Sequence, residues 1–401
     1  MLIFIRRVEC RILSFEERLP IMMKDATSYS LTHAIGATRK AFFIAGFTLA
    51  AWAPLIPLAK DRMMADNGTM GLVLLTFGFG SLLMMPLSGM LAARFGCRLI
   101  FTTAVGLVVA TLPALVLTDE PIFLATSLFI FGAGIGTMDV VVNIHAVRVE
   151  KLAERPIMSG FHALFSIGGI AGSGIVSLLL SYGFSPLLTV SILIAGVLLL
   201  QLTASRLLQE PESTDAPLFV LPKGIVFLIG FLCFIAYIME GAMLDWSGIL
   251  LTSENHVTAQ HAGIGYILFA CAMTAGRLSG DRLITAFGRF RIFLFSSLIA
   301  TFGYSCVIVG GNLMIMLAGF FLIGCGLSNL VPILFTAAGR QQVMPGALAV
   351  AAISSIGYSG ILLGPALIGA VAHLYSLALA FMLVTILSLC LPLCSNIMRQ
   401  R

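Results

Sequence analysis

The feature that most limits this chain is a succession of long apolar stretches, parted only by short breaks of charge and turn residues, running from Ala41 to the end. Twelve segments can be marked off, at 41–59, 70–92, 99–117, 121–146, 158–181, 186–206, 223–249, 262–283, 290–310, 312–335, 346–372 and 374–396. Each approaches the roughly 20 residues a helix needs to cross a bilayer core, and the longer ones fit if tilted. Strands of a membrane barrel would be about 10 residues of alternating polarity, a pattern these segments lack. Only 10% of the 401 residues are charged and 59% are apolar, against roughly 25% and 45–50% for a soluble domain. The expected class is an all-α membrane protein with twelve transmembrane helices.

Several other classes fall away. The net charge of +5 is small and the Lys and Arg are scattered between apolar runs, so nucleic acid has no footprint here. The eight cysteines form no CxxC pair and mostly sit inside apolar segments; they read as small core residues, not a disulfide frame or metal site. No HExxH, Walker A or GxSxG occurs, so no enzyme chemistry, cofactor or metal is expected. Gly132-Ala-Gly134-Ile-Gly136 mimics a nucleotide loop, yet it lacks the Lys and the strand-turn-helix setting. It reads instead, with Gly168, Gly169, Gly172 and Gly357, Gly360, Gly364, as a small surface for close helix packing.

Cytoplasmic loops retain Lys and Arg. With the N-terminus inside, the outward connections hold only Lys60 and Arg62, and the other 21 of 23 basic residues lie in or beside cytoplasmic segments. Both termini are therefore expected in the cytoplasm. Residues 1–37 read as a cytosolic extension: Leu2–Ile5 is too short for a signal-peptide core, and Arg6, Arg7, Arg11 and Arg18 alternate with Glu9, Glu16 and Glu17. Met22 or Met23 is an alternative start to Met1.

The chain also repeats. Gly134-x-Gly136-x-x-Asp139 recurs as Gly324-x-Gly326-x-x-Asn329 at an offset of 190, Phe95-Gly96 as Phe287-Gly288 at 192, and Ser166-Ile167-Gly168 as Ser355-Ile356-Gly357 at 189. Between the copies, Gln209–Pro222 carries three acids and three prolines. The reading is two pseudo-symmetric six-helix bundles, 38–208 and 223–401, joined by a cytosolic linker at 209–222. Parallel halves of this kind are the plan of the major facilitator fold, with its substrate site at the midplane between them.

The runs GTMDVVVNIHAVRVE (Gly136–Glu150), HALFSIGGIAG (His162–Gly172), EGAMLDW (Glu240–Trp246), AGRLSGDRL (Ala275–Leu283), VPILFTAAGR (Val331–Arg340) and GYSGILLGPALIG (Gly357–Gly369) resemble the YbjJ-like branch of bacterial major facilitator transporters, across about Phe42 to Pro392. That branch is similar in fold to the proton-coupled fucose permease. The resemblance implies a monomeric transporter of the bacterial inner membrane, with a small-molecule substrate and protons as partners. Two departures stand out. Ala93 replaces the acid usual before the Arg of the loop after the second helix, whereas Gly280-Asp281-Arg282 keeps one in the second half. Leu55 replaces an Arg that relatives often have between Trp52 and the following Pro57.

Among polar residues within segments, Asp139 is the most informative. A carboxylate inside a spanning helix costs on the order of 2.5–3.5 kcal/mol, so it needs a task or a partner. Asn143 lies one turn on, on the same face, and the fucose permease has a similar pair in which the acid takes up the coupling proton. The bland alternative is a salt bridge to Arg148. Glu240, about 25 Å along its helix from Lys223, is expected in the outer half, opposite the inner-half depth of Asp139, as a second proton or substrate group. Asn329 stands in the repeat-related place of Asp139 and cannot titrate.

His162, Trp52, Tyr358 and Trp246, with Asn143 and Asn329, are the candidate substrate contacts; helix packing or an interface belt is the plainer reading for each. A cytoplasmic lock is expected from Arg94, Arg98, Arg148, Arg277, Asp281 and Arg282. By default Arg277 pairs with Asp281 at i, i+4, and an approach of Arg277 to the cavity is the alternative. The combined expectation is a secondary transporter moving a polar, sugar-like metabolite by proton symport. Proton-antiport efflux and a transport-inactive receptor or scaffold are its rivals.

Overall fold

The computed structural model describes residues 15–204, 221–254, 263–309 and 311–399. Cys10, His256, His261, Met1 and nearly all of the 209–222 linker lie outside them. The described residues hold no strand. Twelve helical spans follow one another: α1 (Phe15–Ala51), α2 (Asn67–Phe95), α3 (Cys97–Leu117), α4 (Pro121–Ala153), α5 (Met158–Ser181) and α6 (Pro186–Ala204), then α7 (Ile225–Glu254), α8 (Ile264–Phe287), α9 (Arg289–Val309), α10 (Leu313–Leu327 and Leu330–Arg340), α11 (Gly346–Leu374) and α12 (Leu377–Ser388, continued by Cys390–Leu393). Eleven are long and apolar enough to cross a membrane. The twelfth, α8, is the span that carries Arg277, Asp281 and Arg282.

The boundaries follow from local chemistry. Helix α1 starts well before residue 38, so the extension and the first span share one helix. It ends at Trp52, where Pro54 and Pro57 remove two backbone donors; a 3-10 turn (Ala53–Leu55) and a short helix (Ile56–Arg62) take over. Helix α10 breaks at Ser328–Asn329, because Pro332 cannot donate to the carbonyl four residues back. Pro365 lies inside α11 without ending it.

The halves are built alike. In the first, α1 packs on α5, α2 on α4 and α3 on α4; in the second, six helices later, α7 packs on α11, α8 on α10 and α9 on α10. The seams between halves, α5 on α8 and α2 on α11, obey the same step. Small residues set the approach. A side chain on Gly168 or Gly172 would strike the α1 carbonyls of Phe43 or Phe47, and one on Gly360 the α7 carbonyl of Phe234. The repeated Phe-Gly corners share one geometry: Gly96 (φ 83, ψ 153) joins α2 to α3 and Gly288 (φ 80, ψ 155) joins α8 to α9. That backbone region is nearly closed to other residues, and each glycine N–H bonds the carbonyl four residues back at 2.9 Å.

Candidate functional site

Two polar groups lie on the interface between the halves. The first is central. Asp139 is partly exposed on α4; its Oδ1 is 3.4 Å from Asn143 Nδ2, which also donates to the Asp139 carbonyl at 2.9 Å. No cation pairs with it among the described residues. Arg148, the partner considered above, instead places Nη1 3.9 Å from Cys97 Sγ. Asn143 is fully buried and its Oδ1 has no hydrogen-bond partner.

Facing this acid are helices of the second half. Tyr237 of α7 lies within electrostatic reach of Asp139, Glu240 and Arg277 together. Ser81 of α2 donates to the Gly132 carbonyl at 2.8 Å, and Tyr358 of α11 lies near it, within electrostatic reach of Asp139. Asp139 and Glu240 thus both lie within electrostatic reach of one tyrosine. The expected i, i+4 pair of Arg277 with Asp281 does not form. Arg277, only 6% exposed, donates from Nη1 to Ser166 of α5 at 2.7 Å and lies 3.8 Å from Glu240 through Nη2; its buried Nε has no partner. A buried guanidinium with so loose a carboxylate partner is incompletely compensated.

The second group closes one end of the bundle, the end bearing Arg94, Arg98, Arg148, Arg155, Arg282, Arg289 and Arg340; we call it the basic end. Glu150, 3% exposed at the close of α4, accepts from the N–H groups of Ile157 and Met158 at 3.0 and 2.9 Å, from Thr336 Oγ1 at 2.8 Å and from Arg289 Nη2 at 3.4 Å. Its first two donors begin α5, where free N–H groups and the helix dipole favour an anion; the other two belong to the opposite half. Asp281 adds a second tie, accepting from Gly160 N–H of α5 at 3.0 Å. Arg94, Arg98 and Arg282 are exposed and make no tie between halves among the described residues. The ties between the halves at this end are those of Glu150 with Arg289 and Thr336 and of Asp281 with Gly160.

The remaining candidates are dispersed. His162 is wedged between rings, 5.3 Å from Phe42 and 5.9 Å from Phe335, with Nε2 unpartnered. His145 meets Thr38 Oγ1 at 2.9 Å, a helix-helix tie. Asn329 is drawn away from the central group because the α10 break turns its amide into α8, donating to Gly276 O at 3.1 Å and Ser328 Oγ at 2.9 Å. Trp52 is buried at the end of α1, and Trp246 packs beside Gly369 of α11. No cluster of His, Cys, Asp or Glu fit for a metal occurs among the described residues.

Residues 41–341 match the Major Facilitator Superfamily. The chain belongs to that family. It is 49% identical over 355 residues to an uncharacterised MFS-type transporter of Yersinia pestis, covering 88% of this chain and 92% of the relative. In fold it is similar to FucP, the E. coli fucose:proton symporter, in its outward conformation, with a TM-score of 0.77 at 17% identity over 93% of this chain and 100% of the other. It is also similar to the human organic anion transporter MFSD10 (TETRAN), with a TM-score of 0.75 at 14% identity over 92% and 99%. As a Major Facilitator Superfamily member it is a multi-pass membrane transporter of small molecules and not an enzyme. Within this family member, the sequence reading missed Glu150, Arg289, Thr336, Ser166 and Tyr237. Tyr237 was reachable, since it sits one turn before Glu240 on the same face. Glu150 was hidden among the surrounding arginines, and its partners 139 and 186 residues away leave no local pattern.

Proposed function

We propose that the protein takes up a small polar, sugar-like solute or related metabolite together with protons, by alternating access across the bacterial inner membrane. The basic end and both termini lie on the cytoplasmic side, in keeping with the retention of Lys and Arg there. The observation that carries this reading is Asp139, an acid within a spanning helix with no cationic partner among the described residues. Such a group is expensive to maintain unless it works. In this reading Asp139 binds the coupling proton, and Glu240 answers through its loose pair with Arg277. Tyr358, Asn143 and His162, with Ser166 and Tyr237, offer donors and ring faces to the solute. Residues 38–208 and 223–401 rock as bundles about the 209–222 linker, and a monomer suffices. Likeness of fold to a fucose:proton symporter supports the reading at the level of architecture.

Purified protein in liposomes, screened against sugars and related metabolites with a pH-sensitive dye, tests it. Solute-driven proton entry in wild type and none in Asp139→Asn is the expected pattern. Proton entry of equal size in both proteins would rule out this role for Asp139.

A second reading has its own observation. The unpartnered Nε of Arg277 beside Ser166 suits a carboxylate on the solute, which predicts that organic acids on the same panel outcompete neutral sugars.

A further inference from the structure

Away from the central group, at the basic end of the second half, α7, α9, α10 and the 3-10 turn Ser395–Arg399 enclose a pocket of about 630 Å3. Three guanidinium groups border it from three separate elements: Arg289 opens α9, Arg340 closes α10 and Arg399 ends the turn after α12. Ile225, Ile229 and Met398 supply apolar walls. Arg399 is held in place by stacking over the Phe290 ring, 4.1 Å from its centroid. Gln341 fixes the chain just past Arg340, accepting from the N–H groups of Val343 and Met344 and donating to the Met344 carbonyl.

The charges here are not compensated. No acid pairs with Arg340 or Arg399 among the described residues, and Arg289 has only Glu150, at 3.4 Å from the opposite half. Arg289 and Arg340 also repel each other. The repeat sharpens the point: at the offset of 190, Arg340 is the counterpart of Glu150. The position that supplies the anion to the lock in one half supplies a cation to this pocket in the other.

Guanidinium groups recognise phosphate through paired N–H donors. Basic pockets between spanning helices at the cytoplasmic boundary suit anionic headgroups, and apolar walls suit the start of acyl chains. We propose that this pocket binds a phosphate-bearing anion, the headgroup of an anionic phospholipid from the adjoining leaflet. Because Arg289 borders the pocket and also holds Glu150, a bound phosphate competes with Glu150 for it and weakens one tie between the halves.

Native mass spectrometry of the full chain in detergent, loaded with phosphatidylglycerol or phosphatidylcholine, tests the proposal. A parallel melting assay of delipidated protein with inorganic phosphate separates a lipid from a soluble source. Wild type and the exposed control Arg155→Gln should retain phosphatidylglycerol in preference, and the double variant Arg340→Gln/Arg399→Gln should lose that preference roughly thirtyfold, from two missing cation contacts. Arg399→Gln alone, at the chain's last turn, serves if the double variant does not fold, with a smaller loss of the same sign. Protection by millimolar phosphate, abolished in the same variants and without preference among lipids, would keep the site and assign it a soluble phosphate compound. If neither probe distinguishes wild type from folded variants, the proposal is wrong.

Discussion

The two seams that join the halves, α5 on α8 and α2 on α11, are related by one six-helix step but are made of different chemistry. In the first, Asp281 accepts from Gly160 N–H and Arg277 reaches Ser166. In the second, at the 192-residue offset of the Phe-Gly corners, the counterpart of Asp281 is Gly89, which packs on Ala347 and Ala351. Glu150 and its counterpart Arg340 differ even in sign. The lesson is that duplication preserved the crossing geometry, which small residues dictate, while polar function settled on one copy of each pair. A seam of charge-assisted hydrogen bonds has discrete made and broken states, whereas an apolar one yields by small sliding. We read the α5–α8 seam and the Glu150 ties as the part that must break when the basic end opens.

Four substitutions break or sharpen that contrast, each read from the distance between spin labels at the exposed residues Leu152 and Val343, one in each half, and from the melting temperature. Glu150→Ala should act most strongly. It strips the anion from two α5 N–H groups, Thr336 and a now unpaired Arg289, and should weaken the closed arrangement by about 3–5 kcal/mol, so that long distances dominate. Gly89→Ala comes next: its new methyl presses on Ala351, an overpacking cost of about 2 kcal/mol that should lower the melting temperature without favouring long distances. Asp281→Asn keeps an acceptor for Gly160 but loses its charge, which should shift the population by about 1.5 kcal/mol. Thr336→Val removes one neutral donor, about 1 kcal/mol, and should be barely visible in the distances. If Gly89→Ala opened the basic end as far as Glu150→Ala, the seams would not differ in kind.

How much of this was legible follows from where each signal resides. Span number, the repeat and the Phe-Gly corners are local patterns, and the structure carries all three. The α10 break is only half legible: Pro332 can bend its helix, but the site of the break one turn earlier follows from the hydrogen bond that proline withholds. Asn329 looked equivalent to Asp139 because the motif around it repeats, yet the broken helix turns its amide toward Gly276. Sequence register alone does not specify side-chain direction once a helix is interrupted. Arg277 was assigned to Asp281 by helical spacing, a contact worth only a few tenths of a kcal/mol on a solvated helix. Inside the interface, Ser166 and Glu240 compete for it, and Asp281 accepts from the Gly160 N–H near the start of α5. Glu150 is masked by the arginines around it for a similar reason, since its side-chain partners Arg289 and Thr336 come from the other half.

The central claim is that Asp139 carries the coupling proton and does not merely hold the central group together. The most direct test compares two activities of Asp139→Asn in liposomes loaded with a transported solute: accumulation driven by a proton gradient, and exchange of labelled for unlabelled solute with no gradient. The account predicts that exchange continues while accumulation is lost. Accumulation and exchange that both persist at wild-type levels, or that fall together in proportion, would contradict it.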